Sequence, residues 1–146
     1  MSPTNVLRRD LAKTYPIAGK GERVDIYDES GKQYLDGSSG ALVVSLGHGN
    51  KEIIDAMYEQ MSKISFAHTS QFHTEVLEKY AQKLSTIAPG NLNYAYLVAG
   101  GSEGIDTAIK LARQYFVEIG KHSKHKVIGR WPSFHGHTLG ALSVGG

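Results

Sequence analysis

Apolar positions along this chain change their spacing several times, and each change marks an element. Val24-Asp25-Ile26-Tyr27 and Lys32-Gln33-Tyr34-Leu35 alternate on either side of Glu29-Ser30-Gly31, which predicts a β-hairpin. From Asn50 the period lengthens: Ile53, Ile54, Met57, Met61 and Ile64 share one face of a helix that Asn50 caps. Leu77, Tyr80, Ala81, Leu84 and Ile87 repeat the pattern in a second helix, started by Thr74 or a neighbour and ended by Pro89-Gly90. Tyr94-Ala95-Tyr96-Leu97-Val98 is a run of β-favouring residues and predicts a buried strand. Ile105, Ile109, Ala112, Phe116 and Ile119 then draw an apolar stripe on a helix, with Ser102 as its N-cap and Gly120 at its C-terminal stop. Lys126-Val127-Ile128-Gly129 predicts a second strand. A strand, a helix and a strand in that order predict an α/β fold with a parallel sheet, of which only two strands are evident. Both would have exposed edges unless more strands joined them.

Two turns in this region carry candidate chemistry. A helix starting at Ser102 leaves its first N–H groups unpaired at its positive end, where an anion is favoured. Gly100 and Gly101 have no side chains to hold a phosphate away from those amides, and the Ser102 hydroxyl can donate a further hydrogen bond. An ordinary strand-to-helix turn with a capping serine would look the same on this stretch alone. A dinucleotide site fits less well, because Ser102 stands where G-x-G-x-x-G requires its second glycine, and Arg130, not an acid, follows the next strand. The second turn, Trp131-Pro132-Ser133-Phe134-His135-Gly136-His137-Thr138, adds an aromatic ring that can lie on a flat heterocycle, and a glycine that admits close approach. Taken alone, this turn reads more simply as a core residue at Phe134 and a hydrogen-bonded loop histidine at His135. Together the two turns read as a cradle for a phosphorylated aromatic cofactor.

The residues then carry a family resemblance. Gly100-Gly101-Ser102-Glu103-Gly104-Ile105-Asp106-Thr107-Ala108-Ile109-Lys110-Leu111-Ala112-Arg113 resembles the phosphate turn and helix of class III (omega-type) aminotransferases, which use pyridoxal 5′-phosphate. Phe134-His135-Gly136-His137-Thr138-Leu139-Gly140-Ala141-Leu142-Ser143 is similar to their aromatic-His-Gly turn. The stretch from Tyr27 to Gly40 resembles the family's N-terminal hairpin and substrate-side loop, and Leu46-Gly47-His48-Gly49-Asn50 its following turn. The resemblance implies the N-terminal fragment of a fold type I pyridoxal-phosphate-dependent transferase, with residues 1–45 in the small domain and 46–146 opening the large cofactor domain. Position by position, it implies that Gly101 and Ser102 hold the phosphate and that Phe134 stacks on the pyridine ring, with His135 and Gly136 shaping that wall. Ser39, Gly40 and Leu42 would line the substrate pocket. Gly100 departs from the family's usual serine, which removes a hydroxyl and leaves the amides.

In the family, the Schiff-base lysine, the aspartate at the pyridinium nitrogen and a threonine reaching the partner subunit's phosphate lie beyond the residues matched here. None of the eleven lysines matches the lysine motif. The resemblance therefore implies no catalytic residue in this chain and no turnover by it alone. The implied full-length enzyme moves an amino group from an amine or amino acid to an oxo acid and is a homodimer; a separate C-terminal chain is another source of the missing part. An aminomutase, racemase or decarboxylase of the same family is the alternative chemistry, and a binding or assembly module the alternative without chemistry.

Composition adds bounds. A net charge of +2 is too small to argue for nucleic acid, and no apolar stretch approaches the ~18 residues of a membrane span. The absence of cysteine excludes disulfides and fits a cytoplasmic enzyme. Seven histidines invite a metal reading, but His135 and His137 have no neighbouring acid or thiol to complete a ligand set. At 146 residues the chain is long enough to bury about 70% of its unfolded surface in one domain.

Overall fold

The computed structural model describes residues 4–145, and the chain divides into two compact units, Met1–Phe72 and His73–Gly146. In the first unit, β1 (Ala18–Glu22), β2 (Asp25–Asp28) and β3 (Gln33–Leu35) form an antiparallel sheet in the order β1-β2-β3. The predicted hairpin is β2–β3, with Asp25 opposite Leu35 and Tyr27 opposite Gln33. Asp28 organises its turn: Oδ1 accepts from the backbone N–H groups of Ser30 (2.9 Å) and Lys32 (3.0 Å), and Oδ2 accepts from the Tyr34 hydroxyl (2.8 Å). The Ser30 hydroxyl, followed by that of Tyr34, stabilises the carboxylate and holds its pKa down at about 2. β1 has no counterpart among the sequence expectations, because Ala-Gly-Lys-Gly-Glu contains no β-branched or aromatic residue. Pairing recruits it instead: Lys20 lies opposite Tyr27 and Gly21 opposite Ile26.

After the hairpin comes a single turn, α1 (Ser39–Leu42), and then α2 (Lys51–Lys63). As expected, Asn50 caps α2, its side chain accepting from the Ile53 N–H at 3.4 Å. Lys51 and Asp55 pair one turn apart on the exposed face, a contact that stabilises helices by a few tenths of a kcal/mol, about 0.3–0.5.

The second unit holds α3 (Glu75–Ile87), α4 (Gly101–Glu118) and α5 (Leu139–Ser143). Thr74 caps α3 by accepting from Leu77 N–H at 3.4 Å. α4 ends as Gly120 predicts: with φ at +74°, Gly120 donates to Val117 O (2.9 Å) and Lys121 to Phe116 O (2.7 Å), a Schellman pair. α4 packs against α5, where Ala141 is fully buried.

Three expectations are corrected. First, Gly100, not Ser102, is the N-cap of α4, extended at φ −149° and ψ 156°. The Ser102 hydroxyl is engaged elsewhere, and Glu103 reaches back to the Ala99 N–H (3.1 Å), so the helix starts without a capping side chain. Second, Tyr94–Val98 and Lys126–Gly129 are not strands. Among the described residues neither makes a backbone ladder bond, and Tyr94 and Ile128 are 99% and 97% exposed. Third, the chain does not enclose a core of its own: Ala141 is the one buried hydrophobic residue among those described.

Candidate functional site

The start of α4 and the 134–138 turn are built into one another. Gly136 is buried, with φ at +137°. A Cβ there would fall 2.7 Å from Ser102 Cα and 2.8 Å from Ser102 Cβ, so only glycine lets the turn lie on the helix start. The next residue fixes the contact: His137 N–H donates to Ser102 Oγ at 2.9 Å, and the Thr138 hydroxyl donates to Ser102 O at 3.5 Å. Thr138 then caps α5, accepting from Ala141 N–H at 3.4 Å. Ser102 Oγ thus serves as an acceptor, and its own hydrogen is left to donate.

Above this contact the helix terminus is open. Added Cβ atoms at Gly100 and Gly101 would meet nothing within 4 Å, and the first bond in which α4 closes on itself runs from Gly104 N–H to Gly100 O (3.0 Å). The N–H groups ahead of it belong to the positive end of an 18-residue helix. That combination can accept an anion. Phe134 is 74% exposed and meets the His137 ring edge-on, with centroids 5.1 Å apart. His135 is half-buried between them in sequence.

The remaining predicted residues, Ser39, Gly40 and Leu42, lie in the other unit, and their backbone is unusual. All four residues of α1 have positive φ, from 49° at Ser39 through 59° and 62° to 69° at Leu42, so this turn winds left-handed. For the three non-glycine residues that costs about 1–2 kcal/mol each. No hydrophobic period or turn motif signals such a run; Gly40 alone hints at it. Leu42 is exposed.

Asp36 and His48 also join this region, and the sequence alone gives neither a role beyond a turn. His48 Nε2 lies 3.0 Å from Asp36 Oδ2, and the imidazole hydrogen bond holds the Asp36 carboxyl below its ordinary pKa. The signal that could have found them is the Gly47-His48-Gly49 triplet, since Gly47 and Gly49 both take positive φ, 83° and 68°.

A helix start open to an anion, with a glycine turn laid on its first serine, is an arrangement shared by proteins that anchor phosphorylated ligands. Residues 8–146 match the family Aminotransferase class-III, and the chain belongs to it. It is 41% identical over 141 residues to an uncharacterized aminotransferase, YodT, of Bacillus subtilis, covering 97% of this chain and 32% of that protein. It is 34% identical over 132 residues to a putrescine–pyruvate aminotransferase of Pseudomonas aeruginosa, covering 89% of this chain and 29% of that one. Its fold matches the omega transaminase of Pseudomonas jessenii solved in complex with PMP at a TM-score of 0.87 and 30% identity, over 90% of this chain and 29% of that chain. The chain therefore spans about a third of its relatives' length and has the fold of an N-terminal fragment of a fold type I enzyme.

Proposed function

We propose that this chain is the N-terminal part of a pyridoxal-phosphate-dependent aminotransferase that moves an amino group from an amine or amino acid to an oxo acid. The observation that carries the reading is the start of α4, where open amides at Gly100 and Gly101 sit beside a Ser102 hydroxyl whose hydrogen is uncommitted. A phosphate needs that donor set. Residues 1–45 are assigned to the small domain and 46–146 to the large one.

When bound, the cofactor supplies an electron sink for the substrate's reacting carbon. The residues of this chain bind and orient. Gly101 and Ser102 donate to the phosphate, since the His137 N–H bond uses Ser102 Oγ as an acceptor and leaves its hydrogen to donate. Phe134 covers the ring, and Gly136 keeps the wall close to the helix. Ser39, Gly40 and Leu42 line the pocket for the amine. No residue of this chain is assigned the proton transfer, so the chain turns over no amine alone, and the complete protein works as a homodimer.

The test adds pyridoxal phosphate to the full-length protein and to the 146-residue chain. The full-length protein gains absorbance at the visible edge that borohydride removes, and forms ketone from an amine and an oxo acid. Ketone formation by the short chain alone would overturn the division of labour. Failure of Ser102→Ala to weaken cofactor binding in the full-length protein would overturn the phosphate assignment.

A further inference from the structure

The loop from Gly37 to Gly47, which contains the left-handed turn, is closed at its base by one pair of residues. On the entering side, Asp36 N–H donates to Val24 O at 2.8 Å. On the leaving side, His48 and Arg23 exchange both backbone hydrogen bonds, 2.9 Å from Arg23 N–H and 2.8 Å from His48 N–H. Both ends are thus fixed to Arg23 and Val24, the two residues that lead into β2. The side chains then join across the opening, with Asp36 and His48 only 9% and 22% exposed.

The second oxygen of Asp36 turns into the loop. Oδ1 accepts from Gly40 N–H at 3.3 Å and from the Ser38 hydroxyl at 3.5 Å, while Asp36 O accepts from Ser39 N–H at 3.3 Å. Gly40 stands inside the run of positive φ. One carboxylate therefore binds His48 with one oxygen and the left-handed turn with the other. Gly21 is shaped to this arrangement: a Cβ there would meet His48 Cβ and Cγ at 2.7 Å, so glycine in β1 leaves room for the imidazole. Gly49 is equally tight, with a Cβ at 3.3 Å from Gly21 O. A run of unfavourable backbone angles persists only where its surroundings over-determine it, and these contacts do so.

We propose that Asp36 and His48 are a positioning pair, a clasp that holds the Ser39–Leu42 turn in its left-handed form and thereby sets the shape of the amine pocket. The second half rests on the reading that Ser39, Gly40 and Leu42 line that pocket. Neither residue touches the reacting atoms; both act through the loop backbone.

The test uses the full-length protein with bound pyridoxal phosphate and four variants, Asp36→Ala, His48→Ala, His48→Gln and Leu42→Ala. Hydrogen exchange of the peptide covering residues 37–47 reads the clasp directly. Loss of the charge-assisted bond raises exchange there about tenfold in His48→Ala, and at least as much in Asp36→Ala, which also loses the bonds to Gly40 N–H and the Ser38 hydroxyl. His48→Gln, whose amide N–H can replace Nε2, restores most of the protection. In parallel, KM for a bulky amine relative to a small one rises about tenfold in Asp36→Ala and His48→Ala, while kcat for the small amine and the cofactor absorbance stay near wild type. Unchanged exchange over 37–47 in both Asp36→Ala and His48→Ala would overturn the clasp. Leu42→Ala separates the two readings: an unchanged amine preference there refutes the pocket assignment, and the exchange data still decide the clasp. If Asp36→Ala does not fold, comparing His48→Ala with His48→Gln decides the same question.

Discussion

Gly136→Ala puts a methyl group where the first turn of α4 already is. The new Cβ would stand 2.7 Å from Ser102 Cα, about 0.7 Å short of the 3.4 Å at which ordinary contact begins, and the atoms it meets include helix backbone that cannot swing aside. Relieving such overpacking costs about 1–3 kcal/mol. The φ of +137° adds a separate penalty of about 1–3 kcal/mol for any residue with a Cβ. The expected destabilisation is therefore about 4 kcal/mol, accompanied by loss of the His137 N–H to Ser102 Oγ bond. Gly101→Ala is the matched control, because its Cβ meets nothing within 4 Å. Its stability should stay within about 0.5 kcal/mol of wild type. It does stand between an incoming phosphate and the open amides, and losing one bond to a charged group costs about 1.5–3 kcal/mol, roughly tenfold to a hundredfold in cofactor affinity. The assay is urea unfolding of the full-length protein together with an absorbance titration of pyridoxal phosphate. If Gly136→Ala unfolds at the wild-type urea concentration, the packing argument is wrong. If Gly101→Ala binds the cofactor normally, the anion site is elsewhere.

Gly140 approaches Asp106 as closely as Gly136 approaches Ser102, since an added Cβ would overlap Asp106 Oδ1, a buried oxygen without a hydrogen-bond partner. Gly140→Ala should destabilise the α4–α5 contact by about 2 kcal/mol, and adding Asp106→Ala should recover half or more; a double-mutant cycle with no coupling would contradict this. Asp28 has a pKa of about 2 in the folded chain, below the ordinary 3.8. Its contribution to stability is therefore complete above pH ~4 and is lost as pH falls through ~2, and Asp28→Asn should flatten the stability curve in that window, as read by unfolding at stepped pH. Thr74→Ala removes the acceptor for Leu77 N–H and should lower α3 stability by about 1 kcal/mol, measured by amide exchange along Glu75–Ile87.

Elements whose cause is local could be read from the sequence. Asn50 and Thr74 cap their helices, Gly120 stops α4, and Glu29-Ser30-Gly31 turns the hairpin, each through bonds spanning a few residues. Elements whose cause is a distant partner could not. β1 exists because β2 offers it a ladder, although its own residues disfavour strands. Tyr94–Val98 has the opposite character, with strand-forming residues and no ladder among the described residues. The N-cap of α4 falls at Gly100 and not at Ser102 for the same reason, since the serine oxygen is claimed by His137, thirty-five residues later. Of the candidate site, the close approach at Gly136 was legible because glycine there has few other uses. The Asp36–His48 clasp was not, because the Gly47-His48-Gly49 triplet marks a tight turn at His48 without naming Asp36, twelve residues earlier, as its partner.

The exposed surface connects these outcomes. A self-contained protein of 15.9 kDa exposes about 7,400 Å², whereas this chain exposes 12,976 Å². The excess is more than three times the roughly 1,600 Å² that a standard protein–protein interface removes from water. Part of it lies on positions the sequence marked as inward-facing: Met57 and Met61 of α2, Tyr80 of α3, Tyr96 and Val127 of the unpaired segments are all exposed. The period of a stripe is set by which residues must leave water, not by whether the element that covers them is present, so the stripes were readable while the strands were not. Among the described residues α2 and α3 pack on no other element, and at 13 residues each they are near the shortest length at which an isolated helix is stable in water. The clasped hairpin and the α4–α5 contact differ in kind. Their geometry is enforced by glycines with no room for a Cβ and by hydrogen bonds between distant residues, so the two places that hold their shape without a core are those where the candidate binding residues stand.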